Sequence, residues 1–166
     1  YGVIAIQSAL AMREKNNKGQ HIDLSLMDSM VAVLANQASN YFVSGSPPKR
    51  MGNKHPNIVP YQVFPTKDGY LIIAVGNNDQ FERLCKVLEL NDLYISSKYS
   101  DNQKRVQNRE ELVDIISSQT KKYSKSDLKN LLELSKVPVG TVNNLEEVFS
   151  DPHAVSYTHL RAHETF

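Results

Sequence analysis

Gly52-Asn53-Lys54-His55-Pro56-Asn57-Ile58-Val59-Pro60-Tyr61-Gln62-Val63-Phe64 runs on through Lys67-Asp68-Gly69-Tyr70-Leu71-Ile72-Ile73-Ala74-Val75-Gly76-Asn77-Asn78-Asp79-Gln80-Phe81. Two short apolar runs, 61–64 and 70–75, flank a Lys-Asp-Gly turn, and this predicts a β-hairpin. The segment before it carries Pro56 and Pro60, Asn53 and Asn57, and His55. No helix accepts that mixture, so it reads as a loop. Gly76 lets the chain turn out of the second strand. Asn78 or Asp79 can then cap a helix running to about Leu88.

Ahead of the hairpin, residues 2–14 read as a helix with Val3, Ile4, Ile6, Leu10 and Ala11 on its apolar face, stopped by Asn16-Asn17-Lys18-Gly19. His21-Ile22-Asp23-Leu24-Ser25-Leu26 alternates polar and apolar, the period of a strand. Residues 27–43 follow as a long helix, with Asp28 and Ser29 near its start. Helix, strand and helix in succession are one step of an α/β layer. Ser44-Gly45-Ser46-Pro47-Pro48 is linker chemistry and marks a domain boundary.

Beyond the hairpin, a helix is predicted over 108–123, with Asn108 as N-cap, Glu110 and Glu111 in its first turn and Lys121 and Lys122 near its end. Ser126-Asp127 opens another helix reaching about Ser135. Residues 137–142 read as a short strand, and Asn143-Asn144 starts a last helical turn or two before Asp151-Pro152. The fold class is therefore α/β followed by a small α+β domain.

The 166 residues suffice for one respectable core or parts of two domains. Nineteen basic and eighteen acidic residues, interspersed, leave a net charge of +1 and no basic stripe, so nucleic acid is not an expected partner. No apolar run approaches the roughly 20 residues of a membrane span. The single cysteine, Cys85, fits a reducing, cytoplasmic compartment and forms no internal disulfide framework. Its neighbours Phe81, Leu84 and Leu88 mark it as a small buried hydrophobe.

The stretch from Asn53 to Gln80 resembles the signature segment of class III CoA-transferases, the family of formyl-CoA, carnitine-CoA and succinyl-CoA:dicarboxylate transferases. The resemblance extends over residues 1–154. It implies the end of a large α/β domain over 1–45, a small α+β domain over 46–143 and the start of a return segment over 144–154. The full-length family fold is an interlocked homodimer. Residues 155–165 resemble the translation of a sequencing-library adapter, so 155–166 are expected to be an appended tail. His159 and His163 in it are not taken as metal ligands, and no metal site is expected.

The resemblance implies transfer of CoA from an acyl-CoA, succinyl-CoA in the branch most resembled, to a small carboxylic or dicarboxylic acid. CoA thioester is then substrate, with no separate cofactor. The family's nucleophile is an aspartate that forms a mixed anhydride with the acyl group. It is expected upstream of Tyr1, so no catalytic residue is assigned here and this length of chain alone is expected to be inactive. Asp23, Asp28 and Asp68 read as structural.

Composition alone gives His55 and the asparagines turn duties. The resemblance instead places their loop close to the active site, where the absence of a glycine run suits a rigid wall. Candidate substrate-binding residues are His55, Asn57, Asn77 and Asn78, the last two at a helix start that favours anions. Related acyl-CoA racemases carry a glutamate in the second loop. Asn77-Asn78 here favours the transferase, with racemase and a non-catalytic binding module as the alternatives.

Overall fold

A computed structural model describes residues 1–153, and residues 154–166, where the expected tail falls, lie outside the described part. The chain divides into two compact units, Tyr1–Arg50 and the remainder from Met51.

The N-terminal unit is helical. Helix α1 (Gly2–Asn16) ends at Asn17, whose left-handed backbone (φ 55°) turns the chain and returns its N–H to the Arg13 carbonyl. Helix α2 (Leu26–Ala32) begins at Ser25, whose hydroxyl accepts from the Asp28 N–H at 3.2 Å. Helix α3 (Ala35–Ser44) closes on left-handed Gly45, φ 67°. Two sequence expectations need correction. The helix predicted over 27–43 is broken between α2 and α3, where Ala35 takes φ 46°, a value that interrupts the ladder. The alternation over 21–26 forms no strand. A strand needs a hydrogen-bonded neighbour, and the described residues of this unit supply none. No residue of this unit is buried.

The C-terminal unit is built on an antiparallel sheet in the order β1 (Tyr61–Pro65), β2 (Tyr70–Ala74), β3 (Val139–Thr141). In register, Phe64 lies opposite Leu71 and Gln62 opposite Ile73, so alternation buries these four on one face. The turn between β1 and β2 is anchored from afar. The Asp68 carboxylate accepts from the Thr66 hydroxyl at 3.2 Å and from the Lys125 N–H at 2.6 Å. Among the described residues β3 pairs only with β2, and Val139–Thr141 is shorter than the predicted 137–142.

Among the described residues, six helices accompany the sheet: α4 (Asn78–Val87), α5 (Asn91–Ile95), α6 (Asn102–Gln107), α7 (Arg109–Thr120), α8 (Lys125–Leu134) and α9 (Leu145–Ser150). Caps explain most of their starts. Asp101 accepts from the Lys104 N–H, Ser124 from the Asp127 N–H, and Asn144 forms a reciprocal capping box with Glu147. Asn108 precedes α7 as predicted but does not cap it. Its amide donates backwards to the Lys104 carbonyl at 2.9 Å, because α6 already occupies the preceding turn.

The core joins Phe64, Leu71 and Ile73 of the sheet to Phe81, Leu84 and Leu88 around α4, Leu112 and Ile116 of α7, and Leu128 and Leu132 of α8. Each such side chain contributes about 1.5–3 kcal/mol on burial. This core fixes the ends of β1, β2 and α4, and the two candidate loops hang from those ends.

Candidate functional site

In the first loop, residues 53–60, the backbone carbonyls of His55, Pro56, Asn57, Val59 and Pro60 all accept hydrogen bonds. Arg109 of α7 donates through Nη2 to the His55 carbonyl (2.9 Å) and to the Pro56 carbonyl (2.8 Å). Asn102 of α6 donates to the Asn57 carbonyl at 2.7 Å and accepts from the Val59 N–H at 3.1 Å. Arg105 Nε donates to the Val59 carbonyl at 2.9 Å, and the Val75 N–H donates to the Pro60 carbonyl at 2.9 Å. Asn53 accepts from the Val63 N–H at 3.1 Å. With two prolines besides, the loop is a pinned wall whose side chains lose little entropy on meeting a ligand.

On that wall, His55 is half-buried and stacked on Tyr61, with ring centroids 5.1 Å apart. Its Nδ1 accepts from the Asn57 N–H at 3.1 Å, so in the neutral ring the proton sits on Nε2. The Asn57 side chain is exposed.

The second loop turns at Gly76, whose N–H donates to Gln80 Oε1 at 2.6 Å. Asn77 is the N-cap of α4, its Oδ1 accepting from the Gln80 N–H at 2.9 Å. Asn78 Oδ1 accepts from Arg105 Nη2 at 3.0 Å. Both oxygens therefore face protein donors. That fixes each amide the other way round, with its NH2 as the group on offer. Both residues are exposed. The structure thus puts His55 and Asn57 on one loop and Asn77 and Asn78 on the other, and Arg105 touches both loops.

Arg105 is only 1% exposed. Besides the two bonds above, Nη1 donates to the Tyr99 carbonyl at 3.1 Å, and the guanidinium lies over the Phe81 ring, 4.6 Å from its centroid. Burial lowers its pKa, opposed chiefly by the negative charge of Asp101, and arginine remains charged throughout the physiological range. Arg105, Asn102 and Arg109 were not singled out from the sequence. Asp101 ahead of Asn-Gln-Lys-Arg-Val was a legible helix start. Which residues of the ensuing helix turn inward depended on tertiary packing.

Other groups take no part. Cys85 is buried in α4, and burial pushes its thiol up to about 12, so it is an inert neutral thiol. The Asp68 carboxyl is held below its ordinary range mainly by the Lys125 backbone N–H, a structural duty. Asp28 sits in the first turn of α2, where its N–H is capped by Ser25. Among the described residues, no group of three or more histidine, cysteine or acidic side chains could hold a metal, and no helix is long and apolar enough to cross a membrane.

The chain is 49% identical over 152 residues to a succinate–glutarate CoA-transferase of Agrobacterium fabrum, covering 92% of the chain and 38% of that protein. It is 43% identical over 155 residues to the human succinyl-CoA:glutarate CoA-transferase, covering 93% of the chain and 35% of that protein. Among solved structures, a CAIB/BAIF family protein from Brucella suis matches with a TM-score of 0.73 and 48% identity, over 92% of this chain and 40% of that one. The chain thus spans well under half the length of the relatives it matches, and its helices and small antiparallel sheet correspond to part of their fold. The sequence profile of CoA-transferase family III matches residues 1–165, and the chain belongs to that family.

Proposed function

We propose that this chain forms part of a transferase that moves CoA from succinyl-CoA to a small dicarboxylic acid, and that its two loops bind the acid. The observation that carries the reading is the orientation of Asn77 and Asn78. Their oxygens are engaged by the Gln80 N–H and by Arg105, so each offers amide N–H donors, and a carboxylate accepts only donors. They stand at the N-terminus of α4, whose dipole favours a negative charge. His55 Nε2 and the Asn57 amide add polar groups on the facing wall.

In this reading an aspartate supplied from outside residues 1–166 attacks the thioester carbonyl. The C–S bond breaks, CoA leaves as thiolate, and an acyl–aspartyl anhydride remains. The thiolate then attacks the aspartyl carbonyl, releasing the donor acid and leaving an aspartyl-CoA thioester. The acceptor carboxylate attacks that thioester, expelling the thiolate and forming a second anhydride. Attack of the thiolate on the acceptor's acyl carbon yields the new acyl-CoA and restores the aspartate. No net proton moves, and each step replaces one good leaving group by another. The residues of this chain hold the acid in line for those attacks. We place the enzyme in the cytoplasm as a homodimer whose loops serve the partner's site.

The test uses the full-length protein carrying this chain, assayed with succinyl-CoA and a panel of small mono- and dicarboxylic acids, glutarate included. CoA transfer to a dicarboxylic acid is expected. Replacing Asn57 or Asn77 by Ala should remove about 1–3 kcal/mol of transition-state binding, seen as a higher acceptor KM or lower kcat. Wild-type kinetics in the variants at all four positions would refute the site. Hydrogen exchange at the substrate α-carbon without CoA transfer would replace the transferase by a racemase.

A further inference from the structure

We propose that Arg105 is a positioning residue that sets the span between the two acid-binding loops, and with it the length of acid the site accepts; this rests on the function proposed above. Its fork ends on three separate segments: the Val59 carbonyl in the first loop, the Asn78 side chain in the second, and the Tyr99 carbonyl between α5 and α6. A planar guanidinium holds such acceptors at fixed mutual angles, which a flexible ammonium does not.

The choice of residue argues for geometry over stability. All three acceptors are neutral oxygens, and the carboxylate whose charge acts on the guanidinium, that of Asp101, makes no salt bridge with it among the described residues. Burying an arginine on these terms is a poor way to stabilise a core, where an apolar side chain of similar volume would serve as well or better. What the arginine adds is direction. Phe81 holds the plane of the fork from below, and Phe81 belongs to the same helical turn as Asn78, so Arg105 grips the start of α4 twice. Asn102, three residues earlier on the same face of α6, holds the first loop through the Asn57 carbonyl and the Val59 N–H. Helix α6 therefore acts as a ruler. Asn102 and Arg105 fix one loop, and Arg105 alone among the two reaches the other. Arg105 is buried and acts on the acid only through Asn78 and, by way of the Val59 carbonyl, through the backbone of the first loop.

A ruler predicts selectivity, which a residue serving only the core does not affect. The experiment compares wild-type, Arg105→Lys and Asn78→Ala full-length enzymes, with succinyl-CoA as donor and dicarboxylic acids of increasing chain length as acceptors. Thermal midpoint and dissociation constant for free CoA are measured alongside. In Arg105→Lys the ratio of kcat/KM between the preferred acid and its longer homologue should collapse by about tenfold or more, while CoA binding stays as in wild type. Asn78→Ala should shift the same ratio in the same direction, and the double variant should add little to the larger single effect, because both break one link. If Arg105→Lys lowers kcat/KM by the same factor for every acid, Arg105 is a core residue only and the proposal falls. If that variant does not fold, Asn78→Ala decides, since it removes the link and leaves the buried arginine in place; an unchanged chain-length profile there overturns the proposal. A wild-type enzyme that transfers no CoA overturns the function proposed above and this role with it. Transfer with an unaltered profile in the variants overturns this role alone.

Discussion

Val3 in α1 is 74% exposed, while Phe64 in β1 is fully buried. Both are apolar residues of regular secondary structure, and the contrast between them holds for their whole units. Tyr1–Arg50 places Val3, Ile4, Ile6, Met27 and Phe42 at its surface and buries nothing. From Met51 onward the chain closes one continuous core that includes Phe64, Leu71, Phe81, Leu112 and Leu128. Secondary structure in the first unit rests on local terms: the Ser25 cap, left-handed Asn17 and Gly45, and an alanine-rich α1. In the second, local terms are reinforced by burial worth far more per residue. An exposed apolar surface of the first kind is suited to being covered by other protein. The second kind can hold a binding wall to fixed geometry on its own.

The largest expected effect tests that contrast directly. Phe64→Ala should destabilise the C-terminal unit by about 3–5 kcal/mol in a denaturant titration, by lost burial and the cavity left behind. Val3→Ala should change stability by no more than about 0.5 kcal/mol. Equal effects would mean that the first unit possesses a core after all.

A smaller effect is expected at the link between core and loop. Asn102→Ala strips the Val59 N–H and the Asn57 carbonyl of their partners, at a cost of about 1–3 kcal/mol. It should also make the 53–60 loop susceptible to proteolysis while α7 and α8 stay protected. A loop that remains resistant would show that Arg105, Arg109 and the prolines suffice without it.

The smallest effect concerns acid. Asp68 is held below its ordinary range chiefly by the Lys125 backbone N–H, and Glu147 chiefly by its hydrogen bond with the Lys125 side chain. Both carboxyls have folded pKa values depressed below the unfolded ones. Their stabilisation is therefore present above the ordinary carboxylate range, near pH 4, and is lost as pH falls through the folded values. The thermal midpoint of the C-terminal unit should drop on that acid side, and Asp68→Asn should flatten part of the slope. An unaltered slope would show that this network adds nothing in water.

The sequence showed most of the second unit and less of the first for the same physical reason. A hairpin with a Lys-Asp-Gly turn, a polar cap ahead of α4 and Asn144 ahead of α9 are local signals, visible in a linear chain, although the cap of α4 expected at Asn78 or Asp79 falls one residue earlier, on Asn77. The 21–26 alternation was a local signal as well, but a strand is completed by its neighbour, and the described part of that unit holds none. The break at Ala35 left no composition cue, since alanine ordinarily continues a helix. At the site, the loops themselves stood out through their prolines and asparagines. The residues that hold them did not. Arg105 lies in a polar run, Asn-Gln-Lys-Arg, that reads as solvated surface, and its burial arises from segments between 6 and 46 residues away in sequence.

Amide hydrogen exchange on this chain tests most directly the claim that the two loops proposed to bind the acid belong to a rigid frame. The Val59, Val63 and Val75 amides, bonded to Asn102, Asn53 and Pro60, should be protected to the same degree as the amides of β2, and the amides of α1 to α3 should exchange orders of magnitude faster. Exchange of Val59 and Val63 as fast as that of α1, with β2 still protected, would contradict the account and make the 53–60 segment a mobile lid.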